Sequence, residues 1–143
     1  MKKIFAERIS SVKEKFLSFT DPEERYSFLI ALGRKAPPFP PALKIPANIV
    51  PGCQSVLYLH TYFQDDKLIF QAHSEALISA GLAALLIEVY SDTTPQTILC
   101  NPPNFLQEIG LLASLSPSRS NGLASIYLRM KQEALKYIVC CKI

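Results

Sequence analysis

Val56-Leu57-Tyr58-Leu59-His60-Thr61-Tyr62-Phe63, Gln64-Asp65-Asp66-Lys67 and Leu68-Ile69-Phe70-Gln71-Ala72 follow one another without a gap. The first run is rich in β-branched and aromatic residues, and the polar segment after it reads as a hairpin turn. Leu68 to Ala72 is then an antiparallel return strand, and the sheet is small. Just beyond, Ser74 can cap a helix whose apolar positions Leu77, Ile78, Gly81, Leu82, Leu85 and Val89 form a broad face suited to lying across that sheet. Its greasiest part, Ala76 to Ile87, contains Ser79 and Gly81 and stops at Glu88. It is too short for a membrane span and reads as a buried core helix.

Outward toward the N-terminus, six of the 11 prolines lie between Pro37 and Pro51. Fixed φ and missing amide donors keep that stretch out of any central strand or helix, so an extended connector is expected. Before it, Asp21-Pro22-Glu23-Glu24 offers a cap, a first-turn proline and a capping box. The helix that opens there carries Phe28, Leu29 and Leu32 and is expected to stop at Gly33. A first helix is marked by Phe5, Ile9, Val12, Phe16 and Phe19 at spacings of four and three.

Toward the C-terminus, Thr94-Pro95 and Asn101-Pro102 each open a short helix, the second ending near Gly110. A last helix starts at Ser116-Pro117, with Leu123, Ile126, Met130, Ala134 and Ile138 as its stripe. No internal repeat interrupts this order. Segregated helices and strands predict an α+β two-layer domain, a small antiparallel sheet covered by helices, over residues 1–143 as a single unit. With 143 residues, 49% of them hydrophobic, the chain has the size of one ordinary core and too much apolar surface for disorder.

Charge excludes little. Fifteen basic and 12 acidic residues are spread along the chain, so the net +3 leaves no nucleic-acid footprint. Met1-Lys2-Lys3 begins like a basic leader, but charges at Glu7, Arg8, Lys13, Glu14 and Lys15 break any apolar run. No signal peptide and no membrane partner are expected, and the chain reads as cytoplasmic. Cys140-Cys141-Lys142-Ile143 stands where a prenylation box would, yet Lys142 occupies an aliphatic position, so no lipid anchor is inferred.

The four cysteines, at 53, 100, 140 and 141, include no CxxC pair and read as free thiols. Cys53, His60, His73 and Cys100 lack the paired spacings of a metal site, so neither metal nor cofactor is expected. Cys53 follows Pro51-Gly52 in a tight turn at the start of the first strand. That placement presents a reactive thiol, although a small hydrophobe filling a gap at a strand start fits the same pattern. An ordinary thiol is only about 3% ionised at pH 7, so nucleophilic work needs a cation or oriented amides nearby. Arg119, in Ser116-Pro117-Ser118-Arg119-Ser120-Asn121-Gly122, sits in the first turn of the last helix and can supply one. On spacing alone, a solvated surface arginine in a serine-rich cap accounts for it better. His60 within a strand and His73 before a helix are weaker candidates.

Three blocks of the sequence resemble the SufE family of sulfur-acceptor proteins: Asp21-Pro22-Glu23-Glu24-Arg25-Tyr26 with Leu29 to Gly33, Asn48-Ile49-Val50-Pro51-Gly52-Cys53-Gln54-Ser55, and Leu115 to Leu123. Ser91 to Leu99 joins them and is similar to the family's S-x-x-T-P-x-x-I-L segment. The resemblance implies a fold similar to the iron-sulfur scaffold proteins. It also implies a chain that takes persulfide sulfur from a PLP-dependent cysteine desulfurase, stimulates it, and hands the sulfur to an iron-sulfur scaffold, with no cofactor of its own. Cys53 matches the sulfur-bearing cysteine, and Arg119 matches an arginine that steadies charge or docks the partner. Gly52, Gln54, Glu75 and His73 are implied as supporting or partner-binding positions. Two departures stand out: Ala72-His73-Ser74-Glu75 replaces the usual G-D-S-D, which raises His73 as a residue that tunes Cys53, and Val56-Leu57-Tyr58 replaces Q-V-W. A desulfurase-regulating module that accepts no sulfur, and a metal or iron-sulfur scaffold, remain alternatives from other classes.

Overall fold

The hairpin organises the computed structural model, which describes residues 4–141 apart from the side chains of 139–141. The leader-like Met1-Lys2-Lys3 and the Cys140-Cys141-Lys142-Ile143 box lie outside the described residues or side chains. Strands β1 (Leu57–Gln64) and β2 (Lys67–Ser74) pair antiparallel from Leu57↔Ser74 to Gln64↔Lys67. Asp65 and Asp66 make the turn with φ of 53° and 64°, the doubly left-handed geometry that matches strand twist and that aspartate tolerates.

The pairing register puts Leu57, Leu59, Leu68 and Phe70 on one buried face. Helix α3 (Leu77–Tyr90) lies across that face, burying Leu82, Leu85, Leu86 and Val89 among others. Each hairpin edge is partly covered by hydrogen bonds to flanking chain. Leu68 exchanges backbone hydrogen bonds with residues just past α3: its amide donates to Thr93 O at 2.8 Å, and the Asp92 amide donates to Leu68 O at 2.7 Å. On the other side the Val50 amide donates to Leu57 O at 2.9 Å.

Helix α1 (Phe5–Leu17) buries Val12 and Phe16 and reaches α3 through Arg8, whose guanidinium donates to the carbonyls of Val89, Ser91 and Asp92. That closes the carboxyl end of α3 with a cation, where carbonyls are left without helical partners. Helix α2 (Pro22–Lys35) starts at its Asp21 cap, with the Glu24 amide donating to Asp21 Oδ1 at 3.0 Å, while the Glu24 carboxylate accepts from Thr20 Oγ1 at 2.9 Å instead of closing the expected capping box. Helices α4 (Pro95–Cys100), α5 (Phe105–Glu108) and α6 (Leu111–Ser114) lead into the long α7 (Pro117–Cys141). The α+β expectation is borne out as a mostly helical arrangement around a two-stranded antiparallel sheet.

Four local expectations are corrected. Ser74 does not cap α3; it ends β2, donates through Oγ to Val56 O at 3.0 Å and accepts from the Ala76 amide. The ladder claims it because its partner Leu57 is buried in the core. Gly33 does not end α2, which continues to Lys35. It is a packing glycine: a Cβ there would lie 3.0 Å from the Gly81 amide nitrogen. The proline connector is not wholly extended, since prolines at helix-initiating positions open 3-10 turns at Pro41–Leu43 and Pro46–Asn48. Asn101 closes α4, its side-chain amide donating to Thr97 O, so the next helix begins only after Asn104, and α6 was not foreseen.

The α2–α3 crossing is close at Gly81, where a Cβ would fall 2.2 Å from the Leu29 carbonyl oxygen. Backbone cannot yield as a flexible side chain can, so Gly81→Ala is expected to destabilise the fold by about 1–3 kcal/mol. Urea unfolding with an unchanged slope checks it.

Candidate functional site

The segment between Val50 and Leu57 is a short loop closed at its foot. Besides the Val50–Leu57 hydrogen bond, the Ser74 hydroxyl holds Val56 O, and Arg129 donates to the carbonyls of Ala47 and Ile49. Gly52 turns the loop with φ of +88°, and a Cβ there would fall 2.4 Å from Ser125 Oγ of α7. Glycine alone satisfies both the left-handed backbone and the close approach. The turn lays Cys53 against α7, where its thiol lies 3.8 Å from Gly122 O, a weak sulfur donor contact.

Cys53 is half-buried at a cavity of about 460 Å³. Ile30 of α2, Leu57 of β1, Ile78 and Leu82 of α3, and Ile126 of α7 give it apolar walls. Gln54, Ser118 and Arg119 supply its polar lining. Burial pushes the Cys53 thiol up from its ordinary value, because an apolar surround disfavours the thiolate.

Arg119 lies exposed in the first turn of α7, its backbone amide donating to Ser116 Oγ at 3.4 Å. Its guanidinium sits 5.9 Å from the centre of the Tyr26 ring, a cation–π contact that holds it beside the cavity. Tyr26 in turn donates its hydroxyl to Ser114 O, and Arg25 donates to Ser114 Oγ at 2.5 Å and to Gly110 O at 3.4 Å. Two consecutive residues of α2 thus pin the segment from which α7 departs. Tyr26 and Arg25 stood in the sequence as part of a helix start, with no local signal of this task.

The cavity brings together Cys53, Gln54 and Arg119 among the expected site residues, with Gly52 forming the adjoining turn. It does not include His73 or Glu75. Their side chains pair at 3.1 Å, His73 stacks on Phe39 with ring centres 6.0 Å apart, and His73 lines a separate cavity of about 220 Å³. Further along β1, the His60 ring lies tilted against Tyr62, with centres 5.9 Å apart, on the sheet face opposite Leu57 and Leu59. Cys100 is exposed at the end of α4 and lies outside the Cys53 cavity. Among the described residues no three His, Cys, Asp or Glu side chains converge as metal ligands.

The loop, the cavity and most of α7 fall within residues 10–134, which match a family profile described as the SufE Fe-S metabolism associated domain. The chain belongs to the SufE family. An uncharacterized SufE-like protein of Synechocystis is 37% identical over 129 residues, covering 90% of this chain and 81% of that one. The protein named cysteine desulfuration protein SufE in Wigglesworthia glossinidia brevipalpis is 33% identical over 132 residues, 91% of each chain. A solution structure of a hypothetical protein from Thermus thermophilus matches with a TM-score of 0.77 at 27% identity, covering 92% of this chain and 96% of that one. This SufE-family chain has, among its described residues, no helix long and apolar enough to cross a membrane.

The raised thiol gives a signed pH dependence. Below about pH 8 the thiol is protonated in both folded and unfolded chains. As pH rises past the ordinary thiol range the unfolded chain loses its proton first, so stability falls until the folded thiol also ionises. In a chain with only Cys53 left, iodoacetamide alkylation of the native protein is expected to reach half-maximum at a higher pH than in the urea-unfolded chain. Coincident profiles would contradict the burial.

Proposed function

We propose that Cys53 accepts sulfur from the cysteine persulfide of a PLP-dependent cysteine desulfurase, stimulates that enzyme, and passes the sulfur to an iron-sulfur scaffold. The observation that carries this reading is a loop thiol that lines a largely apolar cavity together with Arg119, in a SufE-family chain. The name of the Wigglesworthia relative, which speaks of cysteine desulfuration, supports the same partner class.

In the transfer, the Cys53 thiol first gives up its proton, and its thiolate attacks the outer sulfur of the desulfurase persulfide. The new bond joins Cys53 Sγ to that sulfur as the old sulfur–sulfur bond breaks. The desulfurase cysteine leaves as a thiolate, which takes up the proton. Sulfur changes owner with no external oxidant or reductant, so the chain needs no cofactor for this step. Arg119 offsets the negative charge that passes through the site, and the apolar walls keep water and oxidants from the persulfide. Burial makes Cys53 a poor thiolate in the free chain, so ionisation belongs to the docked complex.

Gly52 and Gln54 support the loop in this reading, while Glu75 and His73 belong to a neighbouring surface available to the partner. The contiguous core supports treating residues 1–143 as one domain, and the dispersed charge supports a role without nucleic acid.

Incubation with a cysteine desulfurase, PLP and L-cysteine is expected to add about 32 Da, one sulfur atom, that reduction removes. Peptide mapping should place it on Cys53. Cys53→Ser abolishes the increment and Cys100→Ser keeps it, while Arg119→Ala slows transfer by about tenfold, the loss of one charge-assisted contact. No increment with an active, bound desulfurase would turn the reading to a regulatory module. Full stimulation by Cys53→Ser would do the same.

A further inference from the structure

Helix α7 meets the cysteine loop through more than its first turn. Arg119 lines the Cys53 cavity, Gly122 O faces the Cys53 sulfur, and Ser125 Oγ fills the space a side chain at Gly52 would need. Arg129 grips the loop's approach. Positions 119, 122, 125, 129 and 133 follow spacings of three and four, so they form one helical stripe beside the buried stripe of Leu123, Ile126, Met130 and Ala134. The cysteine loop is laid along this stripe.

The lower part of the stripe is the most strongly built. Arg129 Nη1 donates to Ile49 O at 3.1 Å and Nη2 donates to Ala47 O at 2.5 Å. Its Nε donates to Glu133 Oε1 at 3.2 Å, with Lys136 Nζ on the same oxygen at 3.3 Å. The side chains of Arg129 and Glu133 are only 16% and 13% exposed, unlike an ordinary surface pair. Ala47 and Ile49 flank the end of the Pro46–Asn48 turn, where a short helix leaves carbonyls without internal partners. A planar fork suits two such carbonyls, and an ammonium can reach only one well.

We propose that Arg129, braced by Glu133, is a positioning residue that fixes the foot of the loop and so sets how far Cys53 is withdrawn against α7. The proposal rests on the acceptor reading only for its functional meaning. Its physical content concerns the free chain: loss of the fork lets residues 47–53 open locally, bringing the thiol into water more often. The opening breaks the neighbouring Val50–Leu57 hydrogen bond, while the Ser74–Val56 hydrogen bond still holds the far side of the foot, so it is a hinge at the approach rather than loss of the fold.

The test uses the full chain with Cys100, Cys140 and Cys141 changed to Ser, leaving Cys53 as its one thiol. Iodoacetamide alkylation is followed as a function of pH without any partner. Arg129→Met keeps the stem and removes every donor; its alkylation is expected to rise about tenfold, the scale of one lost hydrogen bond to a charged group. The midpoint of its pH–rate profile should move down toward that of the unfolded thiol. Arg129→Lys should restore part of the protection, and Glu133→Gln should shift rate and midpoint the same way by less. Unchanged rate and midpoint in folded Arg129→Met overturn the proposal, as does a rate rise explained wholly by global unfolding measured in urea. Should Arg129→Met fail to fold, unchanged profiles in Arg129→Lys and Glu133→Gln overturn it equally. A missing sulfur increment on the parent chain would instead strike the acceptor reading, so the two can fail separately.

Discussion

The contact between the backbones of α2 and α3, at Leu29 and Gly81, sets the geometry on which the functional surface depends. A two-stranded hairpin cannot enclose a core, so α3 must cover it and must itself be covered on the far side. Without a side chain at Gly81, α2 comes close enough to do this. Its Tyr26 and Arg25 then reach the segment 110–114, and that segment starts α7. Ile30 of α2 and Leu82 of α3 also face the cysteine cavity. A wider crossing would move Arg119 and the cavity wall together, so packing in the core and charge at the site form one mechanical chain.

In the proposed sulfur transfer, withdrawal of Cys53 against α7 would serve two opposed needs. An apolar surround shields sulfur from water and oxidants, and it also disfavours the thiolate that must attack. Raising the pKa lowers the ionised fraction in proportion when the pH lies well below it. A thiol held this way is quiet until something brings polar groups or charge to it. In the acceptor reading the arrangement separates storage from reactivity, and the proposed Arg129 clamp would bear on the balance between them.

Much of this was legible from local pattern. The polar break at Gln64 to Lys67 marked the turn, the Asp21-Pro22 cap marked the start of α2, and the turn after Pro51-Gly52 singled out Cys53. Each is a signal carried within a few residues. Ser74 and Gly33 misled because each has a common local meaning, helix cap and helix stop, that tertiary contacts overrode. Ser74 was drawn into the ladder by the burial of Leu57, and Gly33 was needed as bare backbone against α3. His73 stood near Cys53 among the candidates, yet strand alternation set it on the face with Phe39.

The amino-acid order alone determined the hairpin, the helix stripes, the proline-rich approach and the thiol in a glycine turn, because hydrophobic period, φ restriction and capping act over short stretches of chain. Family membership was likewise readable in the three motif blocks. Only the tertiary structure decided that Arg119 and not His73 shares the cavity of Cys53, and that Arg129 holds Ala47 and Ile49. Those contacts join residues about seventy or eighty apart in sequence. No local period encodes such a pairing; it arises when the packed helices bring distant faces together.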